Sequence, residues 1–238
     1  MRSRLRSRGV GPLLALCCAA LPPAEAAQAD APFLWRNAAA FTAPAGLPRA
    51  RGARLPAAGT TAFAVAPEIA SQFTQDSEGS GANVVEAVID VETTTVLLSL
   101  EHGFSERWSA GVELPLVRQD GGFLDTIIDD YHDLLGLPDG GRERRPSDEV
   151  FVAWSEGGAL RRRLDSSASG LGDLRVHFAR ALSTAPDRAT ALRFGVELPT
   201  GSVGELTGND GIDLSAALHL TDRRLLSRLG WTLHGAAG

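Results

Sequence analysis

Asp213, Ser215 and His219 share one face of a strand-like stretch, and they supply the acid, hydroxyl and imidazole of an acyl-transfer relay. Their spacing argues against one. A strand advances about 3.3 Å per residue, so His219 sits roughly 13 Å along from Ser215, beyond hydrogen-bond reach. No Gly-x-Ser-x-Gly elbow occurs elsewhere, so no enzyme activity is expected. A second set is broader: Glu113, Asp173, Arg175, His177, Arg193, Glu197, Asp213 and His219 all fall on the polar faces of alternating stretches. Opposite charges on neighbouring strands pair across a sheet. Such a ring either selects solutes in a pore or fills the inside of a small barrel, and the number of strands decides which. A third set gathers Asp125, Asp129, Asp130, His132 and Asp133 in one short segment. Carboxylate oxygens suit hard cations, but the spacing is not that of a calcium loop, so no metal is assigned. Gly201, Gly204 and Gly208 lack the dinucleotide-binding spacing, and no cofactor is expected.

Four stretches must carry these residues. Trp108, Ala110, Val112, Leu114 and Leu116 alternate with Gly111 and Glu113, and Leu174, Val176 and Phe178 with Asp173, Arg175 and His177. Leu192, Phe194, Val196 and Leu198 alternate with Arg193, Gly195 and Glu197. Ile212, Leu214, Ala216, Leu218 and Leu220 do so with Asp213, Ser215 and His219. Successive strand side chains point to opposite faces, so each stretch is a ribbon with one apolar and one charged side.

The start of the chain predicts export. Arg2, Arg4, Arg6 and Arg8 precede an apolar run from Val10 to Leu21, and small residues offer cleavage at Ala24-Glu25-Ala26 or Ala27-Gln28-Ala29. This is the layout of a secretory signal peptide over 1–29, with an apolar run too short to span a bilayer as a helix. Leu16 stands where a lipoprotein signal needs a small residue before Cys17, so no lipid anchor is expected. Cleavage removes both cysteines, and with them any disulfide or thiolate chemistry. Losing four arginines and Glu25 takes the net charge from −6 to −9. An acidic chain with no basic stripe excludes nucleic acid as the expected partner.

Residues 30–60 are rich in Ala, Pro and Arg and read as an arm, either of low order or packed on the first strand. A barrel domain over 61–238 follows. Its first strand, Thr61 to Phe73, contains Pro67 and so belongs at an edge. A second runs from about Thr93 to Glu101, with a tight turn at 102–106 into the third at Trp108. Residues 119–172 form one long structured loop. Phe123, Leu124, Ile127, Ile128, Tyr131, Leu134 and Leu135 recur at helical spacing, predicting a short amphipathic helix whose apolar face packs on a neighbouring hairpin. That hairpin spans Glu149 to Leu164, with Gly157-Gly158 at its turn. Short turns at 184–188 and 221–224 alternate with the longer loop 200–211. Outer-membrane barrels sort their turns and loops in this way.

Two features depart from that pattern. About seven spanning strands are readable, the last beginning near Leu229, Trp231 and Leu233, where single-chain bacterial barrels use even numbers. The chain also stops at Ala237-Gly238 without a terminal aromatic residue, so an incomplete barrel is expected.

Three segments carry a family resemblance. They are Phe123-Leu124-Asp125 with His132-Asp133 and Leu137-Pro138-Asp139-Gly140-Gly141-Arg142, then Ser166-Ser167 with Ser169-Gly170-Leu171-Gly172-Asp173, and Gly195-Val196-Glu197-Leu198-Pro199-Thr200-Gly201. Together they resemble the bacterial outer-membrane family catalogued as domain of unknown function 3187. The resemblance implies an outer-membrane barrel of unassigned activity, and it draws Asp125, His132, Asp133, Asp139 and Arg142 into a candidate loop site.

The expectation is therefore an all-β chain: an antiparallel transmembrane barrel in the bacterial outer membrane, with a helix and hairpin in one loop. Its partners would be outer-membrane lipid, the barrel assembly machinery and a small solute that the lumen passes or binds, with residues 119–172 as cap. The alternatives are a non-conducting barrel whose loops bind a partner, and a secreted β-sandwich.

Overall fold

The computed structural model describes residues 31–238 except 33, 35, 81, 82 and 139, so the signal peptide expected over 1–29 and Asp139 lie outside the described residues. The described chain is an antiparallel sheet curled into half a barrel. Its long strands are β1 (Thr61–Glu78), β2 (Val85–Ser105), β3 (Trp108–Asp120), β7 (Leu174–Thr184), β8 (Arg188–Leu198) and β9 (Asp213–Asp222). Four shorter ones complete it: β4 (Phe151–Glu156), β5 (Ala159–Leu164), β6 (Ala168–Leu171) and β10 (Leu233–Ala237). The main path runs β10-β9-β8-β7-β3-β2-β4-β5, with β1 on the other edge of β2 and β6 beside β3. Among the described residues no helix is long and apolar enough to cross a membrane, which has no bearing on spans built from strands.

The alternation places side chains as the period of two requires. Glu113 pairs in register with Arg175, which in turn faces Glu197, and Glu197 faces Asp213, so one charged row crosses four strands. Burial is inverted relative to a water-soluble sheet. Glu101, Glu113, Arg175, His177, Arg193, Glu197 and His219 are buried, while Val65, Ile69, Phe178, Phe194, Leu214 and Leu218 on the other face are exposed. Pro67 sits on β1, which pairs only with β2, where its missing N–H costs no ladder bond.

The long loop is partly sheet. β4 continues the edge of β2 beyond the end of β3, and Gly157 and Gly158, both at positive φ, make the tight turn into β5. β6 and β7 follow one line along β3, broken at Gly172, whose N–H donates to the Pro115 carbonyl at 2.8 Å. The helix, α1, runs Leu124–Leu135 and ends at Gly136 in the left-handed conformation.

Three expectations need correction. The apolar face of α1 does not pack on the hairpin: Ile127, Tyr131, Leu134 and Leu135 are exposed, Leu134 to 80%. The helix is rotated because its polar side is anchored. Asp125 is buried against Arg142 and accepts the Asp148 N–H, and Glu92 accepts the N–H groups of Phe123 and Leu124 at the helix start. Next, the short turn expected at 221–224 runs on to 232, and of Leu229, Trp231 and Leu233 only Leu233 lies in the last strand. The connection contains a 3-10 turn at Ser227–Leu229, closed by Gly230 at φ 68°, and β10 starts four residues later than Leu229.

The third correction concerns the arm. It has no strand or helix between 46 and 58, and it packs well beyond the first strand. It crosses the buried face from β9 to β2. Ala53 donates its N–H to Thr221 Oγ1 at 2.9 Å and joins Ala189 and Ala191 in an apolar cluster, and Gly59 donates to the Gly103 carbonyl at 2.7 Å.

Candidate functional site

Small side chains make room for the crossing. A Cβ at Gly103 would collide with the carbonyls of Pro56 and Ala57, and Ala189 and Ala191 lie flat beneath Ala53. With backbone this close, every polar group of the arm needs a partner in the sheet. Arg193 donates to the Gly52 carbonyl at 3.1 Å, Arg175 to the Gly46 carbonyl at 2.8 Å, and the His219 ring donates from Nδ1 to the Arg51 carbonyl at 2.9 Å. A carbonyl partner fixes that tautomer.

The arm returns the interaction with its own arginines. Arg51 reaches Glu101 at 3.0 Å, Ser99 Oγ at 2.9 Å, and Glu113 more closely still. Arg49 pairs with Glu68 on β1. Glu101 is the hub, because it also takes Arg193 at 3.0 Å and the Ser109 hydroxyl at 2.6 Å, with His177 Nε2 3.7 Å away. Arg175 pairs with Glu197 across β7 and β8. The arm's Arg36 lies beside Arg49 and Arg175. Burial pushes its guanidinium down to about 10, which leaves it charged at neutral pH.

The rest of the inward set sits at the rim. Asp173 accepts the N–H groups of Gly201 and Asn209 at 2.8 and 2.9 Å, and Asp213 accepts from the Asn209 amide at 2.6 Å. Both carboxylates brace the 199–212 loop. Asp213 and His219 each have a partner outside the supposed relay, so the three residues are not brought together as one.

The loop candidates divide. Asp125 and Arg142 form a part-buried ion pair, with Arg142 also stacked over Phe73 at 5.1 Å. His132 is half-buried and Asp133 is exposed, their carbonyls ending the helix by accepting from Leu137 and Gly136. Among the described residues no group of three or more acidic, His or Cys side chains could hold a metal. Removing Asp125 leaves Arg142 without its main partner. Asp125→Ala is therefore expected to loosen α1 from β1, with trypsin cutting after Arg142 and Arg144 several-fold faster; an unchanged digest would mean the pair holds nothing.

Sequence reading missed Arg49, Arg51, Glu68 and Glu101. The available signal lay in the sheet: Glu101 and Glu113 are carboxylates on adjacent strands, and the nearby inward positions Gly103, Gly111, Ala189 and Ala191 leave a trough without bulk. Two close carboxylates beside an empty trough call for a cationic segment from elsewhere in the chain. What the arrangement does chemically is hold the arm by charge. An opening next to this layer has a volume of about 30 Å³.

Searches among curated proteins and among solved structures return no match. A family model does match, over residues 11–233, and its description is a protein of unknown function, DUF3187. That span takes in the arm, the sheet and the loops together, and the chain belongs to the DUF3187 family.

Proposed function

We propose that this chain is the wall of an outer-membrane β-barrel, exported by its N-terminal leader, with the arm as a resting plug. One observation carries the reading: the charged face of the sheet is the buried one and the apolar face is exposed. A bilayer demands that arrangement of a barrel, because lipid cannot satisfy charge and the interior can. Passive passage or binding of a small polar solute would then use the charged face, and the arm, rather than residues 119–172, controls access. An interior filled by ion pairs and a peptide segment supports low resting permeability.

Fractionation tests the membrane half of the proposal. The expressed chain is expected with the outer membrane, in a band that migrates differently before and after boiling. A soluble product with unchanged migration would overturn it. In planar bilayers the intact chain should show little conductance, and a variant lacking residues 46–58 should show much more. Silence in both would favour the second reading, a non-conducting barrel that binds through its loops, which the outward apolar face of α1 supports.

A further inference from the structure

The opening beneath the arm has a composition of its own. It is lined by Arg49, Arg51, Arg175, Arg193, His177 and His219, against a single lining carboxylate, Glu113. Most of their nitrogens are occupied by the arm or by neighbouring glutamates, but three make no hydrogen bond, although His177 Nε2 lies 3.7 Å from Glu101. Arg175 Nη1 and both ring nitrogens of His177 are buried without a hydrogen-bond partner. Both residues are about 5% exposed. A buried polar nitrogen left unmet costs about 1–3 kcal/mol, so an Arg175 donor and a His177 ring without partners at one cavity point to something that fills it. The room for the His177 ring is itself made: a Cβ at Gly111 would lie 2.6 Å from Nε2.

Charge gives the sign of the occupant. The walls of the opening itself carry Arg49, Arg51, Arg175 and Arg193 against the one carboxylate of Glu113, and Glu68, Glu101 and Glu197 pair with these arginines from behind the lining. Asp173 and Asp213 are held at the rim by the 199–212 loop. Glu197 Oε1 also lacks a donor but does not line the cavity. Volume gives the size. About 30 Å³ holds two or three heavy atoms at most.

We propose that the cavity between the arm and β7–β9 is a binding site for a small monovalent anion of chloride or formate size, with Arg175 Nη1 and the His177 ring as its donors. The site rests on the packing of the arm against the sheet, and stands whether or not the sheet proves to lie in a membrane. An anion there ties the arm to β7 by a ligand that can leave.

The test uses the purified full chain, in detergent if it needs it, with chloride replacing gluconate at constant ionic strength. Gluconate is too large for the cavity. Chloride is expected to lower the unfolding equilibrium constant by a factor of one plus the ratio of its concentration to its Kd, about tenfold at ten times its dissociation constant. His177→Phe keeps the ring shape without its donors, and Ala217→Val fills the cavity wall without touching an ion pair; each should abolish the chloride-dependent part while still folding in gluconate. Bromide should appear at the same place by anomalous diffraction. No chloride dependence at constant ionic strength, or one that survives in both variants, overturns the proposal and leaves water as the occupant. Failure of membrane fractionation with the chloride dependence intact would overturn the barrel reading and not this one.

Discussion

Glu101→Gln should be the most damaging single substitution on the buried face. Its carboxylate holds Arg51 and Arg193 at 3.0 Å each and accepts from Ser109, and the variant keeps the shape while removing the charge. Breaking a buried ion pair from one side typically costs about 3–5 kcal/mol, because the partner stays buried without compensation. Here two guanidiniums lose their shared partner, though Arg51 retains Glu113. The loss should therefore fall near the upper part of that range and show as a lower urea midpoint with an unchanged slope. Arg193→Met in the same background should recover part of it, since it removes one of the stranded charges. A loss below about 1 kcal/mol, the size seen for exposed pairs, would mean that water reaches this layer.

The second large effect is expected from Gly103→Leu, and on the arm rather than on the sheet. Gly103 has ordinary extended backbone, so a side chain is tolerated by the strand itself. The atoms its Cβ would meet are the Pro56 and Ala57 backbone, which cannot rotate away. The arm must therefore lift from β2, taking residues 56–59 out of place and weakening the grip on Arg51. Trypsin should then cut after Arg49, Arg51 and Arg54 at least tenfold faster, while the sheet resists as before. Bilayer conductance should rise in the same variant. Equal protection of wild type and variant would show that the arm is held by its contacts elsewhere on the sheet.

The two variants probe parts of the molecule that differ in how readily sequence reveals them. The strands were legible because a period of two survives any environment: Trp108 to Leu116 and Leu192 to Leu198 announce their faces without knowledge of neighbours. Glu113, Arg175 and Glu197 could be assigned to one face on the same ground. α1 was legible as a helix, but its orientation was not. An apolar stripe says that Ile127 and Tyr131 share a side, while the Asp125–Arg142 pair and the Glu92 carboxylate decide which way that side looks. At the other end, Leu229 and Trp231 suggested a strand start, and Gly230 in a left-handed conformation bent the segment into a 3-10 turn instead. The arm was least legible. Ala, Pro and Arg at 46–58 have no period, and the partners of Arg51 lie 48 to 62 residues away on β2 and β3.

The arm's reach bears also on the order of events as the protein is made. The N–H of Ala53 meets Thr221, 168 residues further on, and the Arg51 carbonyl meets His219 at the same separation. Contacts so distant along the chain are late ones, because the intervening loop must close before they are rewarded. The arm is thus the first described segment to leave the ribosome and among the last able to settle. Until β9 arrives its arginines have no complete seat, and the carboxylates of β2 and β3 lack their counter-charges. Closing the interior is in this sense a finishing step, taken by an early part of the chain on a late one.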